Sequence, residues 1–396
     1  MTTELHLGVV GLGRAAGLMI PALAAHPHVR LTAAADPLPE ARARFEREFG
    51  GRSFPDAEAL CASGDVDAVY IATPHAQHAP DVLAAARHGV HVIVEKPMAL
   101  SLDDCRAMTA AAERAGIALI VGHTHAFDPP TVLMGKLIRS GEFGRLRTIV
   151  NLVYGNFLYR PRRPEELDSA LGGGIMYNQV PHQLEIVQTL ATAPLRSVRA
   201  VTGVWDPQRK TEGALAAFLT FADGAVAQLT YSGYDHFDSD ELHYWIGESG
   251  EEKPHDGHAA ARRALRPVLA DPERERQLRA DSGYGRRGTA RGTARMHELH
   301  FGFLLASCER ADLRPAPDGV TIYSDDGVRT LDCPPARIYP NKDPVIDELY
   351  DAVRNGVPPV HDGSWGTTTM TAALALVASA REGREIVLEP VTAGKP

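Results

Sequence analysis

Cysteine is scarce in this chain of 396 residues, with only four present. Cys61, Cys105, Cys308 and Cys333 are widely spaced and form no Cys-x-x-Cys pair, so they read as reduced structural thiols, not a disulfide frame or a zinc knuckle. Basic charge is also short. Forty-one Lys and Arg face fifty Asp and Glu, for a formal net charge of -9, whereas a nucleic-acid-binding protein is expected to carry a basic field. No run approaches the roughly 18 apolar residues of a membrane span. The opening MTTELHLGVVGLGR has no basic stretch followed by a long apolar one, so no secretory signal is expected. Nothing repeats at a fixed period, which excludes a solenoid or propeller. The expectation is a cytoplasmic protein that binds neither nucleic acid nor membrane.

What is present is ordinary globular composition, 44% hydrophobic and 23% charged, at a length that suits two domains better than one. In the first third, short apolar runs (residues 5–11, 29–36, 68–73, 90–95 and 118–122) alternate with helix-like stretches (40–49, 79–88 and 102–115). Such alternation builds a parallel sheet covered on both faces. After about residue 128 the runs lengthen and gain Val and Thr: 146–154, 197–205, 214–222, 225–232 and 241–246. Asp223-Gly224 sits between two of them as a hairpin turn. A helix over 175–190 is expected on one face of this second sheet. Further strand texture at 319–333, helices at 344–355 and 367–383 and a short strand near 386–388 complete the chain. The fold expected is α/β, a doubly wound Rossmann sheet over 1–126, then an α+β domain over 127–396 with a mostly antiparallel open sheet. Residues 251–300, mixed in charge and later rich in Gly and Arg, read as an insertion: a solvated surface excursion, or else a lid or an oligomer contact.

Gly11-Leu12-Gly13-Arg14-Ala15-Ala16 fits the G-x-G-x-x-G/A fingerprint. It follows the first strand and opens a helical segment, the context that dinucleotide binding requires. Gly11 permits the tight turn, Gly13 lets the backbone approach a pyrophosphate, and Ala16 lets the helix pack closely on the strand. The helix N-terminus, with Arg14 and Ala15, faces the phosphates. Asp36 ends the second strand, placed to accept hydrogen bonds from a ribose and to repel a 2′-phosphate. No arginine occurs in Asp36-Pro37-Leu38-Pro39, so NAD is expected over NADP. Ala72-Thr73-Pro74-His75-Ala76-Gln77-His78 and Glu95-Lys96-Pro97 close two further strands. A lysine at the carboxyl end of a parallel strand lies where such sheets bind ligands, and desolvation there would tune it for proton exchange with a carbinol.

With GLGRAAG, these two motifs and GGGIMYNQVPHQLE at 172–185, the chain resembles the Gfo/Idh/MocA oxidoreductases, the family of glucose–fructose oxidoreductase and inositol dehydrogenase. The likeness covers nearly the whole chain outside 251–300. It implies that Lys96 serves the chemistry and that Thr73, Pro74, His78, Glu95, Lys96 and Pro97 line the nicotinamide pocket. It also implies a catalytic histidine at His182, four residues after the usual aspartate. Here that aspartate is Asn178, which cannot exchange a proton, so the relay is expected to fall on His182 and Lys96 while Asn178 orients substrate. Asn178, His182 and Glu185 share one face of a continuous helix. Where relatives carry an Asn-Arg-Arg-like cluster, this chain has Gly122-His123-Thr124-His125-Ala126-Phe127. His123 and His125 face substrate, or pack as ordinary polar groups, or join His182 around a metal; no metal is expected, because hydride transfer needs none.

The loop NFLYRPRRPEE at 156–166 sets two aromatics beside Arg160, Arg162 and Arg163. These guanidinium groups either clamp a substrate carboxylate or pair with Glu165, Glu166 and Asp168 on the surface. YRPRRPEEL, GHTHAFDPP and GGGIMYNQVPHQ together resemble the phthalate 4,5-cis-dihydrodiol dehydrogenases of that family. The small-molecule substrate implied is a cyclic carbinol, first a carboxylated cis-dihydrodiol, alternatively a polyol, inositol or sugar. A non-catalytic dinucleotide-binding sensor is the reading from another class. The resemblance also implies a homo-oligomer, dimer or tetramer, paired through the outer face of the second sheet.

Overall fold

The computed structural model of the protein describes residues 4–122, 124–280, 297–334, 339 and 341–388. Among these, contacts gather into two compact units. One holds 4–122, 277–280, 339 and 341–370, and the other 124–276, 297–334 and 371–388.

The first unit is built on β1 (Leu5–Val10), α1 (Arg14–Ala25), β2 (Val29–Ala35), α2 (Pro39–Phe49), β3 (Arg52–Phe54), α3 (Ala57–Cys61), β4 (Ala68–Ile71), α4 (His78–Arg87), β5 (His91–Val94), α5 (Leu102–Ala115) and β6 (Leu119–Val121). Its six strands run in the order β3-β2-β1-β4-β5-β6, every pairing parallel. This is the doubly wound arrangement expected, with the order reversing between β1 and β4. Leu7, Val69, Tyr70, Val92 and Ile93 are fully buried, as strands covered on both faces require. The three-residue β3, too short to show an alternating pattern, was not foreseen. The division expected at 126/127 gives 343–370 to the second domain, whereas this stretch packs in the first unit. Val121 donates its N–H to the His361 carbonyl at 2.8 Å. A Cβ added to Gly366 would come within 2.7 Å of Val121 and 2.8 Å of Met98.

The second unit opens with α6 (Pro129–Ser140), β7 (Leu146–Tyr154), α7 (Gly174–Asn178), α8 (Val180–Leu190), β8 (Leu195–Gly203), β9 (Ala214–Phe221) and β10 (Val226–Ser232). After α9 (Ala260–Leu265) and α10 (Pro272–Ala280) come β11 (Phe303–Cys308), β12 (Ala311–Ala316), β13 (Gly319–Ser324) and β14 (Gly327–Asp332). Beyond α11 (Asp343–Tyr350) of the first unit and α12 (Gly363–Glu382) follows β15 (Ile386–Val387). Nine strands form one sheet, β14-β13-β12-β11-β7-β10-β9-β8-β15. It is antiparallel except where β7 meets β10. The hairpin at Asp223-Gly224 joins β9 and β10, with Gly224 at φ +87.

Three local expectations change. Residues 241–246 are not a strand. Asp238 caps a 3-10 turn over Ser239–His243 by accepting from the Asp240 N–H, and Tyr244 and Trp245 take left-handed backbone angles incompatible with extension. The helix expected over 175–190 breaks at Gln179 (φ −119) into α7 and α8. The insertion is more than a solvated excursion. Glu275 of α10 is 5% exposed, pairs both carboxylate oxygens with Arg209 at 2.9 and 3.1 Å and accepts the Arg162 N–H at 2.8 Å. A buried, bidentate pair of this kind fixes the segment to the sheet unit. Residues 281–296 of the insertion lie outside the described residues.

Candidate active site

In the first unit the fingerprint residues stand at the carboxyl ends of β1 and β2. Gly11 has φ +86, and an added Cβ would lie 2.9 Å from the Ala72 carbonyl oxygen, so backbone angle and crowding both demand glycine there. Gly13 differs. Its backbone is ordinary, and an added Cβ meets nothing within 4 Å. No internal contact explains that glycine; open space above an uncapped helix start, with no acid in the first turn of α1, fits the close approach of a pyrophosphate. Asp36 is 8% exposed. Its Oδ2 accepts the Leu12 N–H at 2.7 Å and its Oδ1 the Leu38 N–H at 2.8 Å. Each oxygen keeps a second lone-pair direction for a ribose hydroxyl, and the carboxylate also braces the glycine turn. An arginine outside Asp36-Pro37-Leu38-Pro39 does reach this turn. Arg42 Nη1 donates to the carbonyls of Asp36 (2.8 Å) and Pro37 (3.2 Å).

The Thr73-Pro74 and Glu95-Lys96-Pro97 turns follow β4 and β5 on the same edge of the sheet. Thr73 Oγ1 donates to Asp81 at 2.7 Å. His78, expected to line the nicotinamide pocket, is fully buried. One ring nitrogen faces the Pro97 carbonyl at 2.9 Å and the other the Thr73 carbonyl at 3.0 Å. It is therefore a strut between the two turns and has no surface to offer a cofactor; burial holds its pKa below the usual imidazole value. Glu95 is also buried and accepts the Tyr70 hydroxyl at 2.6 Å. Burial, with the Glu95 charge beside it, drives the Tyr70 pKa far up. Pro74 is exposed and Lys96 half-buried, with a cis peptide joining Lys96 to Pro97.

In the second unit His182 on α8 is 9% exposed and meets the edge of the His125 ring at 4.9 Å between centroids. Phe301 stacks on His125 at 4.6 Å and touches His182 at 5.1 Å, and Tyr231 flanks Phe301 at 6.3 Å. Asn151, completely buried, holds the Phe301 and Phe303 carbonyls at 2.9 and 3.2 Å. Gln179, at the helix break, accepts the Tyr231 hydroxyl at 3.0 Å. Asn178 does not project outward with His182. Its amide donates back to the Gly174 carbonyl at 2.8 Å and the Gly172 carbonyl at 3.4 Å, which fastens the glycine turn. His123 lies outside the described residues, and among those described no three His, Cys, Asp or Glu are grouped to hold a metal. Phe301, Tyr231, Gln179 and Asp128 (below) were missed from sequence. Only the Asp-Pro-Pro run carries a local signal.

The three arginines part company. Arg163 pairs with Glu165 at 3.3 Å and Glu166 at 3.5 Å, the surface alternative. Arg162 is 7% exposed, donates Nε and Nη2 to the Phe157 carbonyl at 3.1 and 3.0 Å and covers the Phe157 ring; it supports its own loop. Arg160 is half-buried, held by Asn156 at 2.6 Å and Glu248 at 3.3 Å. Its guanidinium lies near enough to Tyr231 to oppose the upward push of burial on that phenol. Arg162 acts on the same phenol as a smaller influence, with its Nε and Nη2 turned to the Phe157 carbonyl.

The comparisons agree with this architecture. A family model described as "Oxidoreductase family, NAD-binding Rossmann fold" matches residues 5–123, and the GFO/IDH/MocA C-terminal domain matches residues 131–250. The chain belongs to the Gfo/Idh/MocA oxidoreductase family. A relative from Comamonas testosteroni, 1-carboxy-3-chloro-3,4-dihydroxycyclohexa-1,5-diene dehydrogenase, is 41% identical over 376 residues, 94% of each chain. A solved structure from Bordetella bronchiseptica RB50, provisionally assigned as a dehydrogenase, is 41% identical with a TM-score of 0.92, covering 98% of this chain and 100% of its own. The WlbA dehydrogenase from Bordetella pertussis, solved with NADH and UDP-GlcNAcA, is 23% identical and shares the fold, with a TM-score of 0.68 over 98% of this chain and 99% of its own. The protein is thus an oxidoreductase of an NAD-binding Rossmann family, and no described helix is long and apolar enough to cross a membrane.

The glycine pair gives a contrast that can be measured. Gly13→Ala is expected to leave the melting temperature within a degree or two while weakening NADH binding by about tenfold or more, a loss worth ~1.4 kcal/mol. Gly11→Ala should lower stability itself by about 1–3 kcal/mol, from strain at positive φ and the clash with the Ala72 carbonyl. Thermal melts with NADH titrations decide it; equal stability loss in both variants contradicts the assignment. Glu298 supplies a second test. Burial, then the charges of Asp128 and Asp318, push its pKa up to about 7 from an ordinary 4.5. The native state therefore binds this proton more tightly than the unfolded chain, and stability is lost as pH rises from about 4.5 to about 7. Glu298→Gln should melt like the parent at pH 4 and be more stable by at most about 3 kcal/mol at pH 8. An equal difference at both pH values refutes the assignment.

Proposed function

We propose that the protein is an NAD-dependent dehydrogenase that oxidises a carboxylated cyclic cis-dihydrodiol. The observation that carries the substrate reading is 41% identity, over 94% of both chains, to a dehydrogenase whose name specifies a carboxylated cyclohexadiene diol. Arg160, half-buried near Tyr231, supports it as the fork for a carboxylate, and Phe301 as a flat wall for an unsaturated ring. NAD accepts the hydride when bound. Gly11, Gly13, Arg14 and Ala15 hold its pyrophosphate and Asp36 its ribose, while Arg42 turns Nη1 to the Asp36 and Pro37 carbonyls. Lys96 serves the reacting oxygen, and His182 belongs to the imidazole cluster through which its proton leaves. Asn178 and His78 position the turns around them. The outer face of the second sheet exposes Val201, Phe218 and Val387, which the register sets on one side; this supports a homo-oligomer. The commitment of Arg162 and Arg163 to their own loop favours one second reading, a polyol or sugar dehydrogenase.

The test is NADH formation from phthalate cis-dihydrodiol, a neutral cis-dihydrodiol, inositol and glucose, with NADP as a parallel acceptor. The acid should be preferred, and Arg160→Ala should lose that preference by about ten- to a hundredfold, the worth of a charge-assisted bidentate contact. Lys96→Ala should lower turnover by about two to four orders of magnitude with little change in cofactor affinity. Better turnover of inositol or glucose transfers the assignment to the polyol reading; equal use of NADP removes the Asp36 argument.

A further inference from the structure

We propose that Asp128 and His125 form an acid–base dyad in which Asp128 is the positioning residue and His125 the catalytic imidazole that takes the carbinol proton. The starting observation is an aspartate that does not do what its position calls for. Asp128 is the N-cap of α6, where an aspartate side chain ordinarily accepts the N–H groups of the next turn. The two residues after it are Pro129 and Pro130, which have no N–H, and its side chain makes no capping hydrogen bond. The carboxylate turns back instead, and Oδ2 lies 2.6 Å from His125 Nδ1. It is 1% exposed, and the side chain lies between the imidazole and the start of α6.

A carboxylate on Nδ1 fixes that nitrogen as the donor, which makes Nε2 the atom that exchanges protons. The ring plane is fixed as well, since Phe301 stacks on it at 4.6 Å and His182 meets it edge-on at 4.9 Å. Thr124 sets the turn by accepting the Ala126 N–H at 3.2 Å. The titratable groups around the dyad are His182 on α8 and, facing Asp128, the buried Glu298, which Asp318 also influences. The chemistry asks for such a group: oxidation of a carbinol releases a proton as well as a hydride, and Asn178, an amide that donates to the Gly172 and Gly174 carbonyls, cannot take it. The O–H bond breaks, the proton passes to Nε2 of His125, the C–H electrons leave as hydride to the nicotinamide, and the C–O bond becomes a carbonyl. An imidazole has a base form available at neutral pH, so His125 is the acceptor of this proton, while Lys96 serves the oxygen it leaves and His182 holds the His125 ring edge-on.

This rests on the carbinol-oxidation reading but on no particular carbinol, so the measurement uses whichever panel substrate is turned over. His125→Gln should lower kcat by about a hundredfold or more, with KM and NADH binding within about threefold. Asp128→Asn should lower kcat by about tenfold or more and move the acid limb of the kcat/KM profile to lower pH, because removing the carboxylate destabilises the imidazolium. Nitrogen NMR of histidine-labelled protein supplies a readout that needs no turnover. The His125 signal, identified by its loss in His125→Gln, should show the Nδ1–H tautomer in the parent and a mixture in Asp128→Asn. Unchanged tautomer and pH profile in Asp128→Asn, or kcat within threefold in His125→Gln, overturns the dyad. A panel in which only sugars react sinks the dihydrodiol reading and leaves this comparison intact.

Discussion

Every strand pairing in the first sheet is parallel, and the chemistry of that unit depends on this constraint. Parallel strands cannot be joined by a tight turn; each must be reached by a crossover, so their carboxyl ends lie along one edge. Gly11, Asp36, Thr73 and Lys96 each stand within two residues of such an end. They are far apart in sequence and come to one edge because the backbone ladder permits nothing else. The order reversal between β1 and β4 then leaves the crevice in which ligands of these sheets bind. His78 and Glu95 secure the arrangement, one with its ring packed between the Pro97 and Thr73 carbonyls and the other through Tyr70.

The second unit solves a different problem. It gathers an aromatic and imidazole cluster on its sheet, held by buried hydrogen bonds that leave little freedom. Asn151 fastens the chain carrying Phe301, Gln179 fastens Tyr231, and Asp128 fastens His125. Each such group would be costly if left wholly unpaired, and each makes at least one of these bonds. The break at Gln179 belongs to the same design. It frees Asn178 to hold the glycine turn while α8 presents His182.

Where the deciding signal is local, the sequence was readable. The strand-turn-helix at Gly11–Gly13, the strands of the first sheet and the Asp223-Gly224 hairpin rest on period and turn chemistry within a few residues. What was not readable depends on direction or distance. A motif places His78 in a turn but does not say that its ring points inward. Arg42 lies six residues from Asp36 and reaches it only because α2 begins between them. Arg160, Arg162 and Arg163 look alike in the chain, and only their partners Glu248, Phe157 and Glu166 separate them. The two prolines after Asp128 leave it only the Thr131 N–H to cap, and the fold alone shows its carboxylate turned to His125 instead. Residues 241–246 satisfied a strand pattern, but the left-handed Tyr244 and Trp245 overrode it.

The central claim is that a hydride leaves a carbinol carbon of the substrate for a nicotinamide held by the Gly11–Gly13 turn. The most direct measurement places deuterium on the carbinol carbons of the cis-dihydrodiol acid and follows the label by mass spectrometry and proton NMR of the recovered NADH. The account predicts one deuterium per turnover, on one face of the nicotinamide C4, with none entering from deuterated water. NADH that forms without the label, or takes its C4 hydrogen from solvent, would contradict it.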